Sequence, residues 1–145
     1  MKSEKRSLTR SMAVVGWLRL ARVFQKIDTL SARLFQQYGL TTAQFDVLAK
    51  LGASAGMTQQ ELAASLLVTK GNVSQVLDRM EQRGLIVRRQ EGRTKYLFLT
   101  EQGQALFEAA VPQQEAHINT LMAALTLDEQ AQLVRLLRKI DQSLD

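Results

Sequence analysis

The sequence has no cysteine, and this one absence excludes disulfides, thiol nucleophiles, thiolate metal sites and cysteine-based redox sensing. Histidine is nearly as scarce: His117 stands alone, whereas a structural zinc site normally draws on several Cys or His ligands. No apolar run approaches the roughly 18 residues that a membrane span requires. The apolar stretch MAVVGWL follows Lys2, Lys5, Arg6 and Arg10, as in a secretory signal. Arg19 and Arg22 then interrupt what should be uncharged sequence. Carboxylates are scattered over helix surfaces, and no acid, base and nucleophile converge. Neither an enzyme nor a bound cofactor or metal is therefore expected. Internal repeats and low-complexity tracts are missing too. A soluble cytoplasmic protein is the expectation.

What is present suits one domain: 145 residues, of which 46% are hydrophobic. Lys and Arg number 19 against 14 Asp and Glu, for a net charge of +5. That balance points to an anionic partner, nucleic acid or an acidic membrane surface. The distribution is uneven. Residues 1–40 carry eight basic and two acidic side chains, and residues 70–95 seven and three. Residues 104–145 reverse the sign, with three basic and six acidic groups. A basic arm, a basic middle and an acidic tail favour nucleic acid over a uniformly basic membrane binder.

The periodicity is mainly helical. Leu20, Val23, Ile27, Leu30 and Leu34 recur at spacings of 3 and 4, one face of a long first helix closed by Gly39. Thr41 with Gln44, Thr58 with Glu61, and Thr126 with Glu129 have capping-box spacing at the heads of three later helices. The second helix carries Phe45, Val47, Leu48 and Leu51. The third is short, ending near Leu66, with Leu62, Ala63 and Leu66 inward. A fourth, capped by Thr69, turns Val73, Val76, Leu77 and Met80 inward and ends at Gly84. The period then changes to two β-rich runs, 85–89 and 96–99, joined by a polar loop over 90–95. Pro112 should kink or break the fifth helix. A sixth runs from Thr126 to about Leu144. The five methionines read as packing residues.

Residues 58–100 therefore form a winged helix-turn-helix: short helix, tight turn, second helix, hairpin. With its apolar side turned inward, the fourth helix presents Lys70, Asn72, Ser74, Gln75 and Arg79 to a duplex. Thr58, Gln59 and Thr69 flank them. Gly71 lets backbone approach a phosphate near the helix terminus. Asn and Gln can pair with adenine and Lys or Arg with guanine, and the N-terminal part of this helix enters the major groove. In the hairpin, Arg88, Arg89, Arg93 and Lys95 crowd like charges that phosphates would compensate. An arginine at the tip could enter a minor groove. Glu91 is expected to pair with Arg93 or Arg89. The competing reading is a winged helix used only to bind protein.

ELAASLLVTKGNVSQVLDRMEQRGLIVRR followed by EGRTKYLFLTEQG, with YGLTTAQFDVLAKL upstream, resembles the multiple-antibiotic-resistance regulator (MarR) family of bacterial transcription factors. The resemblance covers roughly residues 20–145 and is densest over 58–103. It implies a mainly α fold with a small β-hairpin wing. Residues 41–103 would be the DNA-binding lobe, and 1–40 with 104–145 a helical dimerisation region. It further implies a homodimer on pseudo-palindromic operators in double-stranded DNA, usually a repressor relieved by a small aromatic or lipophilic acid. An activating or ligand-independent regulator is the alternative. Glu91 departs from the family's more usual Asp, while Arg93 is kept.

The residues support the dimer independently. Leu20 and Ile27 on the first helix, Leu121 and Leu125, and Leu133, Leu137, Ile140 and Leu144 on the last make apolar seams beyond what a winged helix needs for its own core. His117 reads as an interface hydrogen bonder. In the family the effector pocket lies between the first, second and fifth helices. That implication makes Arg22, Phe24, Tyr38 and Phe45 the candidate effector contacts. Peroxide sensing through a thiol, known in part of the family, has no residue here to act through.

Overall fold

The computed structural model describes residues 10–66 and 72–145. Along these the elements are α1 (Met12–Gln37), α2 (Thr42–Ala53), β1 (Met57–Thr58), α3 (Gln59–Ser65) and α4 (Val73–Gln82). They continue with β2 (Ile86–Glu91), β3 (Thr94–Leu99), α5 (Glu101–Leu121), a 3₁₀ turn (Met122–Ala124) and α6 (Leu127–Ser143). The fold is mainly α with a small antiparallel sheet, in agreement with the sequence. No helix among the described residues is long and apolar enough to cross a membrane.

Every α-helix starts on a polar cap whose side chain accepts a first-turn backbone N–H. Thr41–Gln44 and Thr126–Glu129 close as reciprocal capping boxes. At Thr58 only half of the box forms: its hydroxyl accepts from Glu61 N–H at 3.0 Å. Thr58 is also a residue of β1, paired with Tyr96, so its backbone is committed to the sheet. The start of α4 differs from expectation. Asn72 caps it, and Thr69 lies outside the described residues. Asparagine is among the strongest N-cap residues, which places the boundary at Val73.

α1 and α4 end in the same way. After Tyr38, Gly39 N–H bonds Gln36 C=O and Leu40 N–H bonds Phe35 C=O; after Arg83, Gly84 and Leu85 repeat the pattern on Glu81 and Met80. Both glycines have positive φ (68° and 73°), completing a Schellman closure. Pro112 does not break α5, which is unbroken from Glu101 to Leu121. Pro112 is exposed, so the Glu108 carbonyl it leaves without a donor can face water, and Ala110 and Val111 hold the helix against the core.

The sheet order is β1-β3-β2. β2 and β3 pair from Ile86↔Leu99 to Glu91↔Thr94, leaving only Gly92 and Arg93 in the turn. The strands thus run further than expected, because the polar residues 90–95 complete the ladder. β1 has no sequence signature beyond two residues and was absent from the expected elements.

The core is one cluster. Val47, Leu48, Leu62, Leu77, Met80, Leu85, Ile86 and Leu97 are its largest fully buried side chains, joined by Phe35 from α1 and Ala110 from α5. Ala63 is exposed rather than inward, because the short α3 turns only Leu62, and partly Leu66, onto the core. α6 contributes no buried residue. Gly103 is where α5 meets the wing: a Cβ there would collide with the Leu85 carbonyl, which is backbone and cannot rotate away. Gly103→Ala is expected to destabilise the fold by about 3 kcal/mol, at the top of the usual overpacking range. Urea unfolding measures it, and a loss under about 0.5 kcal/mol would show the contact to be loose.

Candidate nucleic-acid interface

α4 owes its orientation to amphipathicity. Leu77 and Met80 are fully buried and Val73 and Val76 half-buried, so Ser74, Gln75 and Arg79 are turned to solvent. Asn72 is exposed, but its Oδ1 accepts from Gln75 N–H at 3.4 Å, so it is a cap as much as a candidate base contact. Gln59, the first residue of α3, donates through Nε2 to Ser74 Oγ at 2.8 Å. Two predicted DNA-contacting residues therefore brace the two helices against each other. Lys70, Gly71 and Thr69 lie outside the described residues.

The charges of the hairpin divide into two groups. Arg88 is mostly covered and turns back to α4: its Nη2 donates to Asp78 Oδ1 at 2.8 Å, and its Nε lies 3.8 Å from Glu81 Oε2. These are the ion pairs found among the described residues, and Glu91 is in neither. The expected Glu91 pairing is replaced because the tight turn leaves Glu91 opposite Thr94, while α4 presents two carboxylates to Arg88. Arg88 thus joins wing to helix and offsets the charge of one of the two carboxylates that α4 turns toward it. Arg89, Arg93 and Lys95 remain exposed. The Arg89 guanidinium lies over the Phe98 ring, 5.1 Å from its centroid, which orients the charge without consuming it.

Neither the role of Arg83 nor the contact of Thr100 with Gly84 is legible in the sequence. Arg83 Nη1 donates to Gly39 C=O at 2.8 Å and Gln44 Oε1 at 3.3 Å. Thr100 donates to Gly84 C=O and accepts from Gly103 N–H. Partners 44 and 16 residues away leave no spacing signal; the only cue was a basic residue at a helix end.

The candidate effector residues do not gather in one place within a single chain. Phe45 stacks on Phe35 in the core, with ring centroids 4.0 Å apart, and Tyr38 packs beside them. Phe24 is exposed on α1. Arg22 lines two open clefts along α1, one with Arg10, Leu18 and Arg19 and the other with Lys26 and Leu30. Of the candidate dimer residues, Leu20, Leu137, Ile140 and Leu144 are exposed, and Ile27, Leu121, Leu125 and Leu133 are half-covered. Trp17 and Val134 extend the uncovered apolar surface. His117 Nε2 is buried without a hydrogen-bond partner.

A short helix braced to a polar-faced second helix, with a basic hairpin pinned beside it, makes this a winged helix-turn-helix protein of the DNA-binding class. The MarR family profile matches residues 38–95. An HTH-type transcriptional regulator of Bacillus cereus is 42% identical over 125 residues, covering 86% of this chain and 85% of that one. MarR of Escherichia coli, in its apo crystal structure, is 33% identical with a TM-score of 0.69, over 86% of this chain and 95% of that one. Staphylococcus aureus MepR in complex with DNA is 27% identical with a TM-score of 0.76, over 87% of this chain and 94% of that one. The chain belongs to the MarR family of DNA-binding transcriptional regulators.

Two measurements probe this geometry. A double-mutant cycle with Arg88→Met and Asp78→Asn, read by urea unfolding, should give a coupling of about 0.5–1 kcal/mol, the range of a largely solvated pair. Zero coupling would mean the bridge is not held in solution. Asp46 supplies the second. Burial pushes its carboxyl above the usual 3.8, Asp28 adds repulsion, and Lys50 partly offsets both. The folded state therefore holds this proton more tightly than the unfolded chain. The stability contributed below pH 3.8 is lost as pH rises through the raised folded value. Asp46→Asn should be more stable than the parent at neutral pH and show a flatter pH dependence. A variant less stable at neutral pH would contradict this.

Proposed function

We propose that the protein is a homodimeric repressor of pseudo-palindromic operators, released by a small aromatic or lipophilic acid. The observation that carries the DNA-binding part is the exposed polar side of α4 beside a hairpin whose Arg89, Arg93 and Lys95 remain exposed. Ser74, Gln75 and Arg79 would read base edges, joined by Asn72, Thr58 and Gln59 and by Thr69, Lys70 and Gly71. Arg89, Arg93 and Lys95 would take phosphates and the adjacent minor groove. Arg88 acts in this reading through the wing it positions. Residues 41–103 form the reading lobe, and 1–40 with 104–145 the dimerisation region.

Dimerisation is supported by the apolar residues left uncovered on α1 and α6, and by the orphaned His117 Nε2, which an interface would partner. Two-fold symmetry would set two copies of α4 about 34–36 Å apart, one turn of the duplex. Release is a population shift: a ligand held near Arg22 and Phe24 would favour a dimer whose reading helices no longer match successive grooves. The Arg22 guanidinium suits a carboxylate, and Leu18 and Leu30 in the adjoining clefts suit an apolar body. The protein acts by binding and performs no catalysis.

Arg93→Ala with Lys95→Ala should weaken binding to all duplexes and reduce the slope of log K against log salt by about 0.9 for each phosphate that is no longer neutralised. An unchanged affinity and slope would remove the wing from the interface. Leu137→Glu with Ile140→Glu should yield a folded monomer in sedimentation, without specific DNA retention. A dimer that survives both changes would place the interface elsewhere.

A further inference from the structure

We infer that Arg83 is a positioning residue for DNA recognition, a pin that fixes the reading helix α4 to the end of α1; this rests on the dimeric DNA-binding reading above. Arg83 is the C-cap of α4, and its guanidinium reaches the corner between α1 and α2. There Nη1 donates to the Gly39 carbonyl, just past the last turn of α1, and to Oε1 of Gln44. α1 has no basic residue in its own last turn, so the cation favoured at its carbonyl end comes from α4. Gln44 is buried, and the same oxygen accepts from Thr41 N–H at 3.1 Å, so its amide is held in place before Arg83 arrives.

Among the described residues these are the side-chain hydrogen bonds that join residues 72–100 to α1 and α2. The remaining attachment is apolar packing around Leu48, Leu77 and Met80. Such packing is strong but non-directional and permits small rotations. A two-acceptor guanidinium contact is directional and sets the angle. α1 also carries Trp17, Leu20 and Phe24 on its uncovered side, the face proposed to meet the second copy. Arg83 therefore links the element that defines the dimer axis to the element that reads DNA. Its loss should leave folding and dimerisation nearly intact, because Gln44 keeps the Thr41 partner and Arg83 itself is exposed.

The test uses a duplex selected by the wild-type chain from a randomised pool, and the same duplex with one base pair inserted between its half-sites. Wild type should bind the inserted duplex at least about 10-fold more weakly, because the second helix is misplaced along and around the duplex. Arg83→Gln should bind the parent duplex about 10-fold more weakly, while the insertion penalty shrinks to under about 3-fold. Its salt slope should match wild type. Arg83→Lys, which keeps the cation and one donor, should recover much of the insertion penalty and decides the matter if Arg83→Gln unfolds. A slope lowered by about 0.9 with the insertion penalty unchanged would make Arg83 a phosphate contact and overturn the inference. So would wild-type behaviour from Arg83→Gln. Failure of the wild-type chain to select any duplex would instead overturn the DNA-binding reading itself, and this inference with it.

Discussion

The described residues share one hydrophobic core, and it lies almost entirely in the winged lobe. Most of its members come from α2, α3, α4 and the wing, while α1 supplies Phe35, α5 supplies Ala110 and α6 supplies none. Apolar side chains on the long helices therefore remain in water: Trp17 is 65% exposed and Ile140 54%. Burying such a side chain is worth about 1.5–3 kcal/mol, so several left uncovered on two helices support the proposed dimer. Lobe and arms differ in this respect, and the difference separates the reading surface from the surface proposed for the second copy.

Within the lobe, packing decides which elements meet and a small set of polar contacts decides their angles. Gln59 with Ser74 ties α3 to α4. Arg88 with Asp78 and Glu81 ties the wing to α4, and Arg83 ties α4 to the end of α1. Each contact is at least partly exposed and contributes little stability alone. Their value in the proposed reading is geometric, since base readout tolerates only small displacements of the helix that carries it. Arg88 also offsets one of the two negative charges of Asp78 and Glu81, and the exposed Arg79, Arg89, Arg93 and Lys95 outnumber the one that is left.

Much of this could be read from the residues. Helical spacing, Thr caps and the glycines after Tyr38 and Arg83 are local signals, and they located the helices to within a few residues. The inward set Val73, Val76, Leu77 and Met80 was equally legible, because a 3.6-residue period must turn one side of a helix to the core. What escaped depended on contacts distant in sequence. β1 exists only because β3 offers it a ladder. Nothing local ties Arg88 to Asp78, so spacing alone groups it with the other hairpin cations, and Arg83 gives no sign of its partners at Gly39 and Gln44. Pro112 marks no break for the same reason: its cost depends on whether the freed carbonyl meets water, which only the fold determines. Phe45 stacked on Phe35 in the core shows why aromatic residues alone are a poor guide to a pocket.

The most direct test is a hydroxyl-radical footprint of the wild-type chain on a duplex it has selected. Two protected patches centred one helical turn apart, each flanked by minor-groove protection from a wing, are the expected result. A single patch, or uniform protection without a repeat, would contradict two symmetric reading lobes held at a fixed spacing.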